Sequence, residues 1–142
     1  MRFMMLMIPE GYEKATPAKM PDPEAVAAMM KYNEELQKAG VLLSLDGLHP
    51  PSDGARVSFA GGKPTVRPGP FAETREALGG YWMINVKSKD EAIGWASRVP
   101  VVDNSVVEVR QVFEMEEFPK DVQAEVDKFP ELKKRVEGGR GG

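Results

Sequence analysis

The sequence contains no cysteine, and this absence excludes disulfide bonds, thiolate metal sites and cysteine nucleophiles. Histidine is nearly absent too, because His49 is the only one. A metal site would have to be built from carboxylates, and no ligand spacing for such a site is evident, so none is expected. An excess of positive charge is also lacking, since the formal net charge is -3. We therefore expect no nucleic-acid partner.

Long apolar runs are missing as well. An apolar stretch at residues 1–8 stops at Pro9, which makes it too short for a membrane span or a signal peptide. A stretch of this length predicts a central β-strand instead. The chain has 142 residues, the usual size of a single domain. The expectation is a cytoplasmic protein with no membrane partner.

Short apolar runs alternate with helix signals along the chain. Strands are expected at residues 1–8, 41–45, 80–86 and 105–113, and a hairpin with a glycine-rich turn at 55–67. Helices are expected to begin after the capping residues Asp22 and Ser88. This order predicts an α+β fold of the ferredoxin-like type, β-α-β-β-α-β, with an inserted β-hairpin.

Four strands with two helices on one face leave the other face of the sheet uncovered. Alternate side chains of the strand at residues 81–86 must point at that face. An apolar sheet face of this kind is usually buried against a second copy of the chain. A homodimer is therefore expected.

The C-terminal segment is predicted to be a separate unit. Residues 116–142 carry a helical apolar pattern that Pro130 interrupts, which favours two short helices over one long one. The glycine-rich end at residues 137–142 is expected to fray. The predicted division is thus a domain at 1–115 and a helical tail at 116–142.

Six short segments carry a resemblance to a known family. They are Gly47-Leu48-His49-Pro50, Gly61-Gly62-Lys63-Pro64-Thr65-Val66, Gly69-Pro70-Phe71-Ala72-Glu73-Thr74-Arg75-Glu76, Gly79-Gly80-Tyr81-Trp82, Val86-Lys87-Ser88-Lys89-Asp90-Glu91-Ala92-Ile93 and Val107-Glu108-Val109-Arg110. With these segments the chain resembles the YCII-related superfamily over residues 1–115. Within it the chain is most similar to the DGPF-domain branch, among PhnB-like and YCII-like small proteins.

The resemblance implies a ferredoxin-like domain that pairs into a dimeric α/β barrel, with a cleft between the sheet and its flanking elements. Relatives are suspected enzymes because a histidine and an aspartate meet in that cleft. Members of the branch are often encoded beside, or fused to, sigma factors of the extracytoplasmic-function class. The family segment typically opens Asp-Gly-Pro-Phe, whereas Pro68 holds the leading position here, which puts any role of that aspartate in doubt.

Three residues are candidates for acid–base catalysis: His49, Asp46 and Glu73. A histidine near an aspartate can act as a general base whose partner fixes its tautomer. The alternative interpretation of His49 is a loop histidine that forms a local hydrogen bond. For Glu73 the alternative is a solvated surface charge.

Four more residues are candidates for ligand binding. Arg75 can grip a carboxylate or phosphate through its bidentate fork, or it can be an ordinary surface charge. Phe71, Tyr81 and Trp82 can line an apolar pocket, although aromatic residues at such places are more often core. Tyr81 and Trp82 must point to opposite faces of their strand.

Two functions remain open from the sequence. The first is an enzyme without a cofactor that moves a proton on a small organic molecule in a cleft. The second is a non-catalytic dimeric module that binds a small ligand or a protein such as a sigma factor. No phosphate loop, dinucleotide fingerprint or nucleophile elbow is present, so no cofactor is expected.

Overall fold

The computed structural model describes residues 1–16 and 21–138 of the chain. In chain order its strands and α-helices are β1 (Arg2–Ile8), α1 (Pro23–Lys38), β2 (Leu42–Gly47), β3 (Ala55–Ala60), β4 (Lys63–Pro68), β5 (Gly80–Asn85), α2 (Lys89–Ala96), β6 (Val106–Gln111), α3 (Lys120–Asp127) and α4 (Pro130–Gly138). Short 3-10 helices lie at Tyr12–Lys14, Pro51–Asp53 and Met115–Glu117. This confirms the α+β class.

Four strands form one antiparallel sheet in the order β2-β5-β1-β6. Strand β1 pairs with β5 on one side and with β6 on the other, which confirms its predicted central position. Strands β3 and β4 pair with each other as a separate two-stranded ribbon. In the described part of the chain the strands do not close into a barrel.

Helices α1 and α2 cover one face of the four-stranded sheet. The buried residues of this layer include Phe3, Met5, Leu36, Ile84 and Ala92. The ring of Tyr32 on α1 meets Trp82 on β5 edge to face, with ring centres 5.7 Å apart. Its hydroxyl donates to the carbonyl of Trp95 at 2.7 Å, and burial raises the pKa of Tyr32 to about 12. The core therefore joins both helices to the sheet.

The opposite face of the sheet carries the alternate side chains of each strand, which point away from the helices. Met4 and Leu6 on β1 and Met83 on β5 lie on this face and are half-buried. Glu108 and Arg110 on β6 are exposed beside them and form an ion pair at 3.1 Å. Both α1 and α2 lie on the other side, so this face is the less protected of the two.

The ribbon of β3 and β4 is exposed along its whole length. Its register places Val57 opposite Val66 and Arg56 opposite Arg67. One face of the ribbon is therefore apolar and the other carries the two arginines. On the apolar face Phe59 is 74% exposed.

The C-terminal segment forms two short helices, as predicted from Pro130. Helices α3 and α4 contact each other, and both Phe129 and Leu132 are 60% exposed. The predicted division between residues 115 and 116 stays a prediction, and the fraying expected at 137–142 falls from position 139 onward outside the described residues. Among the helices that the structure describes, none combines the length and apolar character needed to cross a membrane.

Candidate functional site

The single histidine forms a close pair with an aspartate. Nδ1 of His49 lies 2.7 Å from Oδ2 of Asp53. The 3-10 helix at Pro51–Asp53 turns the chain back, so that the fourth residue after His49 reaches its ring. Because a carboxylate only accepts hydrogen bonds, this contact favours the tautomer of the neutral imidazole that carries its proton on Nδ1 and its lone pair on Nε2. Nε2 is therefore free to take up a proton from another molecule.

The loop that carries this pair is fixed from two sides. The amide of Leu48 donates to the carbonyl of Gly79 at 2.9 Å, and the Tyr12 hydroxyl donates to the carbonyl of Leu48. Burial, and then the charge of Asp53, raises the pKa of Tyr12, so this hydroxyl keeps its proton. The residue before His49 is thus held through both of its backbone polar groups.

The end of the ribbon contacts the same loop through backbone atoms. The amide of Gly69 donates to the carbonyl of Gly54 at 2.9 Å. A Cβ at Gly69 would lie 1.7 Å from the carbonyl oxygen of Pro51, so no side chain fits there. A close backbone approach requires a glycine. This contact places Phe71, two residues further on, next to the loop of His49.

A cleft of about 440 Å³ lies between the loop, the ribbon and the segment after it. The residues that line it include Leu48, His49, Asp53, Arg56, Phe71 and Glu76. We call it the His49 cleft. The side chain of His49 is 83% exposed and that of Asp53 is 35% exposed. The cleft therefore combines a base, an arginine, two acids and an apolar wall.

The ring of Phe71 packs beneath a cluster of charged side chains, which consists of Arg56, Arg67 and Glu73. Phe71 is 8% exposed, and the guanidinium carbons of Arg56 and Arg67 lie 4.3 Å and 5.5 Å from its ring centre. The carboxylate of Glu73 accepts a hydrogen bond from Arg67 and lies 3.7 Å from Nη1 of Arg56. The hydrogen bond from Arg67, and then one from the backbone, lowers the pKa of Glu73. Glu73 is thus an ionised carboxylate that holds the two arginines in place, and we call this arrangement the Glu73 clamp.

The hydrogen-bond partner of Asp46 is a residue other than His49. Asp46 faces Tyr81 across the β2–β5 pair, and the Tyr81 hydroxyl donates to its Oδ2 at 2.6 Å. This hydrogen bond raises the pKa of Tyr81. Both residues line a smaller cleft of about 190 Å³. The structure therefore pairs His49 with Asp53, and Asp46 with a tyrosine.

The remaining ligand-binding candidates are dispersed. Trp82 is buried in the core, where its indole donates to Oδ1 of Asn33 at 2.8 Å, and it points away from Tyr81 as predicted. Arg75 lines a third cleft of about 660 Å³ together with Lys14. Of the four ligand-binding candidates, Phe71 alone is among the residues that line the His49 cleft.

Sequence reasoning missed Asp53 and Arg56. The segment from Pro50 to Gly54 is rich in turn residues, and a tight turn after His49 was the available signal for Asp53. Arg56 alternates with apolar neighbours on its strand, which places it on the polar face of a ribbon. Nothing in the sequence indicates that this face meets the His49 loop.

Metal binding finds no support in the described geometry. Across residues 1–16 and 21–138, no three histidine, aspartate or glutamate side chains converge in a way that could hold a metal ion. The chemistry that the cleft offers is a proton acceptor at Nε2 of His49, a cation at Arg56 and carboxylates at Asp53 and Glu76.

Two comparisons with known proteins found matches. The family described as YCII-related domain matches residues 1–116, well over half of the chain. An uncharacterized protein of Rhizobium meliloti (strain 1021) is 39% identical over 70 residues. That segment covers 49% of this chain and 53% of the relative, so the match spans about half the length of the relative.

Proposed function

The chain belongs to the YCII-related family, and on that premise we propose that it is a homodimeric enzyme that moves a proton on a small organic molecule without a cofactor. His49 is the general base and Asp53 is its partner. The observation that carries this proposal is the distance of 2.7 Å between Nδ1 of His49 and the Asp53 carboxylate at the edge of a cleft.

The pair can perform both halves of a proton transfer. Nε2 of His49 accepts the proton of a substrate C–H or O–H bond, and the electron pair of that bond stays on the substrate. The imidazolium that results is stabilised by the negative charge of Asp53. Returning the proton to a second position of the substrate, or to water, restores the neutral histidine.

The finer fold assignment is part of this proposal. The strand order β2-β5-β1-β6 supports a ferredoxin-like sheet, and residues 61–76 support the DGPF-domain branch. The half-buried Met4, Leu6 and Met83 support packing of this sheet face against a second copy, as in a dimeric α/β barrel. A dimer would also reduce the solvent exposure of the molecule as a whole.

The first prediction concerns proton exchange. In deuterated water, NMR should detect loss of a proton signal from at least one member of a panel of small ketones, aldehydes and keto acids. We expect His49→Gln to slow this exchange by about 10²- to 10⁴-fold, because a positioned general base contributes that much. Asp53→Asn should slow it at least about 10-fold, since it removes the charge that stabilises the imidazolium.

Asp46→Asn is the matched control, because it makes the same change at the aspartate that binds Tyr81. Exchange that depends on Asp46 and not on Asp53 would contradict the assigned pair. Full exchange in a folded His49→Gln protein would refute the catalytic role of the histidine.

The alternative function is a non-catalytic binding module. The exposure of the His49 side chain, 83%, favours it, as does the apolar face of the ribbon with Phe59 and Val66. A regulatory protein such as a sigma factor of the extracytoplasmic-function class is then a candidate partner. Absence of exchange on the whole panel, together with binding to such a factor that Phe59→Ser abolishes, would support the module and not the enzyme.

A further inference from the structure

We infer that Arg56 makes the His49 cleft a binding site for small monocarboxylates, which the guanidinium holds by a bidentate contact while His49 faces the rest of the molecule. The inference rests on the proposed function and names its substrate class. Arg56 and His49 come from different elements, a ribbon strand and a loop, and line the same cleft of about 440 Å³. That volume suits a small organic molecule.

The guanidinium of Arg56 is oriented by an aromatic ring, but its N–H groups lack a hydrogen-bond acceptor among the described side chains. Its central carbon lies 4.3 Å from the centre of the Phe71 ring, which restricts the plane of the group. Its closest carboxylate oxygen, on Glu73, is 3.7 Å from Nη1, which is too long for a hydrogen bond. Within the described ranges the Arg56 guanidinium donates no hydrogen bond to another residue. Its N–H donors are therefore available to a ligand.

Arg67 explains why Arg56 remains available. The two arginines are opposite each other in the ribbon, and both lie over Phe71. Arg67 donates a hydrogen bond directly to the Glu73 carboxylate, whereas Arg56 lies 3.7 Å from it. Arg56 is 47% exposed and keeps its own charge toward the cleft. An arginine fork matches a carboxylate with two parallel hydrogen bonds.

The other charges in the cleft restrict the ligand to a single negative charge. Asp53 is already paired with His49, whereas Glu76 adds a second carboxylate to the lining. With His49 neutral, the single cation of Arg56 faces two acids, so the net local charge is negative and a dianion such as phosphate meets more repulsion than a monoanion does. A monocarboxylate can use the arginine at a smaller electrostatic cost. The apolar wall of Leu48 and Phe71 suits the carbon skeleton of such an acid.

Binding can be measured at the cleft itself, because His49 is the only histidine in the chain. The ring resonances of His49 are followed by NMR while lactate, pyruvate or inorganic phosphate is added to the full-length protein. We expect saturable shifts with lactate or pyruvate at millimolar concentrations, as for other small ligands held by a few contacts. Phosphate should bind at least about 10-fold more weakly.

Two variants of Arg56 test the contact. Arg56→Gln should weaken binding of the monocarboxylates about 10- to 100-fold, because charge-assisted hydrogen bonds are lost. Arg56→Lys retains the charge but not the fork, so we expect an intermediate loss. Arg98→Gln is the matched control, since Arg98 also stacks on an aromatic ring, with its central carbon 4.0 Å from the centre of Trp95, but does not line the cleft.

Several outcomes would overturn the inference. They are unsaturable shifts with both monocarboxylates in the folded wild-type protein, equal affinity in Arg56→Gln, or phosphate binding as tight as that of lactate. Failure of the proposed function is a different result. If His49→Gln retains full proton exchange, catalysis by His49 is refuted, but lactate binding measured by saturation transfer on the ligand signals still tests Arg56. If binding fails while exchange depends on His49, only the substrate class is wrong.

Discussion

At the scale of single residues, Glu73 determines which arginine faces the cleft. Its carboxylate holds Arg67 by a hydrogen bond and leaves Arg56 at 3.7 Å. The hydrogen bond from Arg67 lowers the pKa of Glu73, so the clamp stays ionised well into the acidic range. The two arginines over Phe71 therefore have different roles, although the ribbon presents them side by side.

The titration of Glu73 tests this clamp. We expect its carboxyl carbon signal to titrate below the ordinary glutamate value of about 4.3. Since the pKa is lowered in the folded protein, the stabilisation is present above the unfolded value and is lost as the pH falls through the folded one. NMR titration of the wild type and of Arg67→Gln measures the effect, and the pKa of Glu73 should be higher in the variant, because the largest cause of its lowering is removed. An ordinary value in the wild type would contradict the clamp.

The sequence identified His49 and Phe71 as candidate residues, and both line the cleft. It suggested Asp46 as the partner of His49 because the two are close along the chain. The partner instead depends on geometry: strand pairing directs Asp46 toward Tyr81, and the 3-10 turn returns Asp53 to the imidazole. Short turns of this kind are set by local backbone angles, which one sequence specifies only loosely.

At the scale of elements, the end of the ribbon and the 3-10 helix act as one unit. Gly69 packs its backbone against Pro51, and its amide binds the carbonyl of Gly54. The sequence predicted the hairpin from its glycine-rich turn, and the hairpin is confirmed. The bond between Gly69 and Gly54 continues the β3–β4 register beyond the pair of Ala55 and Pro68, whereas the contact with Pro51 depends on the path of the 3-10 turn, which the sequence does not specify.

Replacing Gly69 should therefore displace the loop of His49. Gly69→Ala would place a Cβ 1.7 Å from the Pro51 oxygen, so the two backbones must separate, and we expect a loss of about 1–3 kcal/mol of unfolding free energy. The His49 ring resonances should shift as well. Gly54→Ala is the control, because its Cβ would lie at an ordinary 3.5 Å from the same oxygen. Equal stability of the two variants would contradict this packing.

At the scale of the whole molecule, two apolar surfaces are unusual for a chain that works alone. One is the sheet face of Met4, Leu6 and Met83, and the other is the apolar face of the ribbon. A two-stranded ribbon is by itself only marginally stable in water. Alternation in the strands predicted an uncovered face, whereas the extent of the ribbon's exposure depends on tertiary structure.

We expect light scattering at micromolar concentration to give twice the chain mass of 15.7 kDa. A stable dimer buries about 800 Å² on each partner, and we expect the sheet face to supply part of this area. Met83→Glu should then give a monomer, because it adds a charge to that face. Val102→Glu, which changes a side chain that is 69% exposed in a loop, should remain dimeric. A monomeric wild type would refute the dimer.

The contact at Gly69 also limits how the gene can diverge. Every single-nucleotide change of a glycine codon that replaces the amino acid adds a side chain, and any side chain begins with the Cβ that the Pro51 oxygen excludes. Amino-acid replacement at position 69 is therefore not tolerated while the loop at residues 51–54 keeps its present conformation. A descendant that loses Gly69 must first acquire a different loop, and with it a different partner for its histidine.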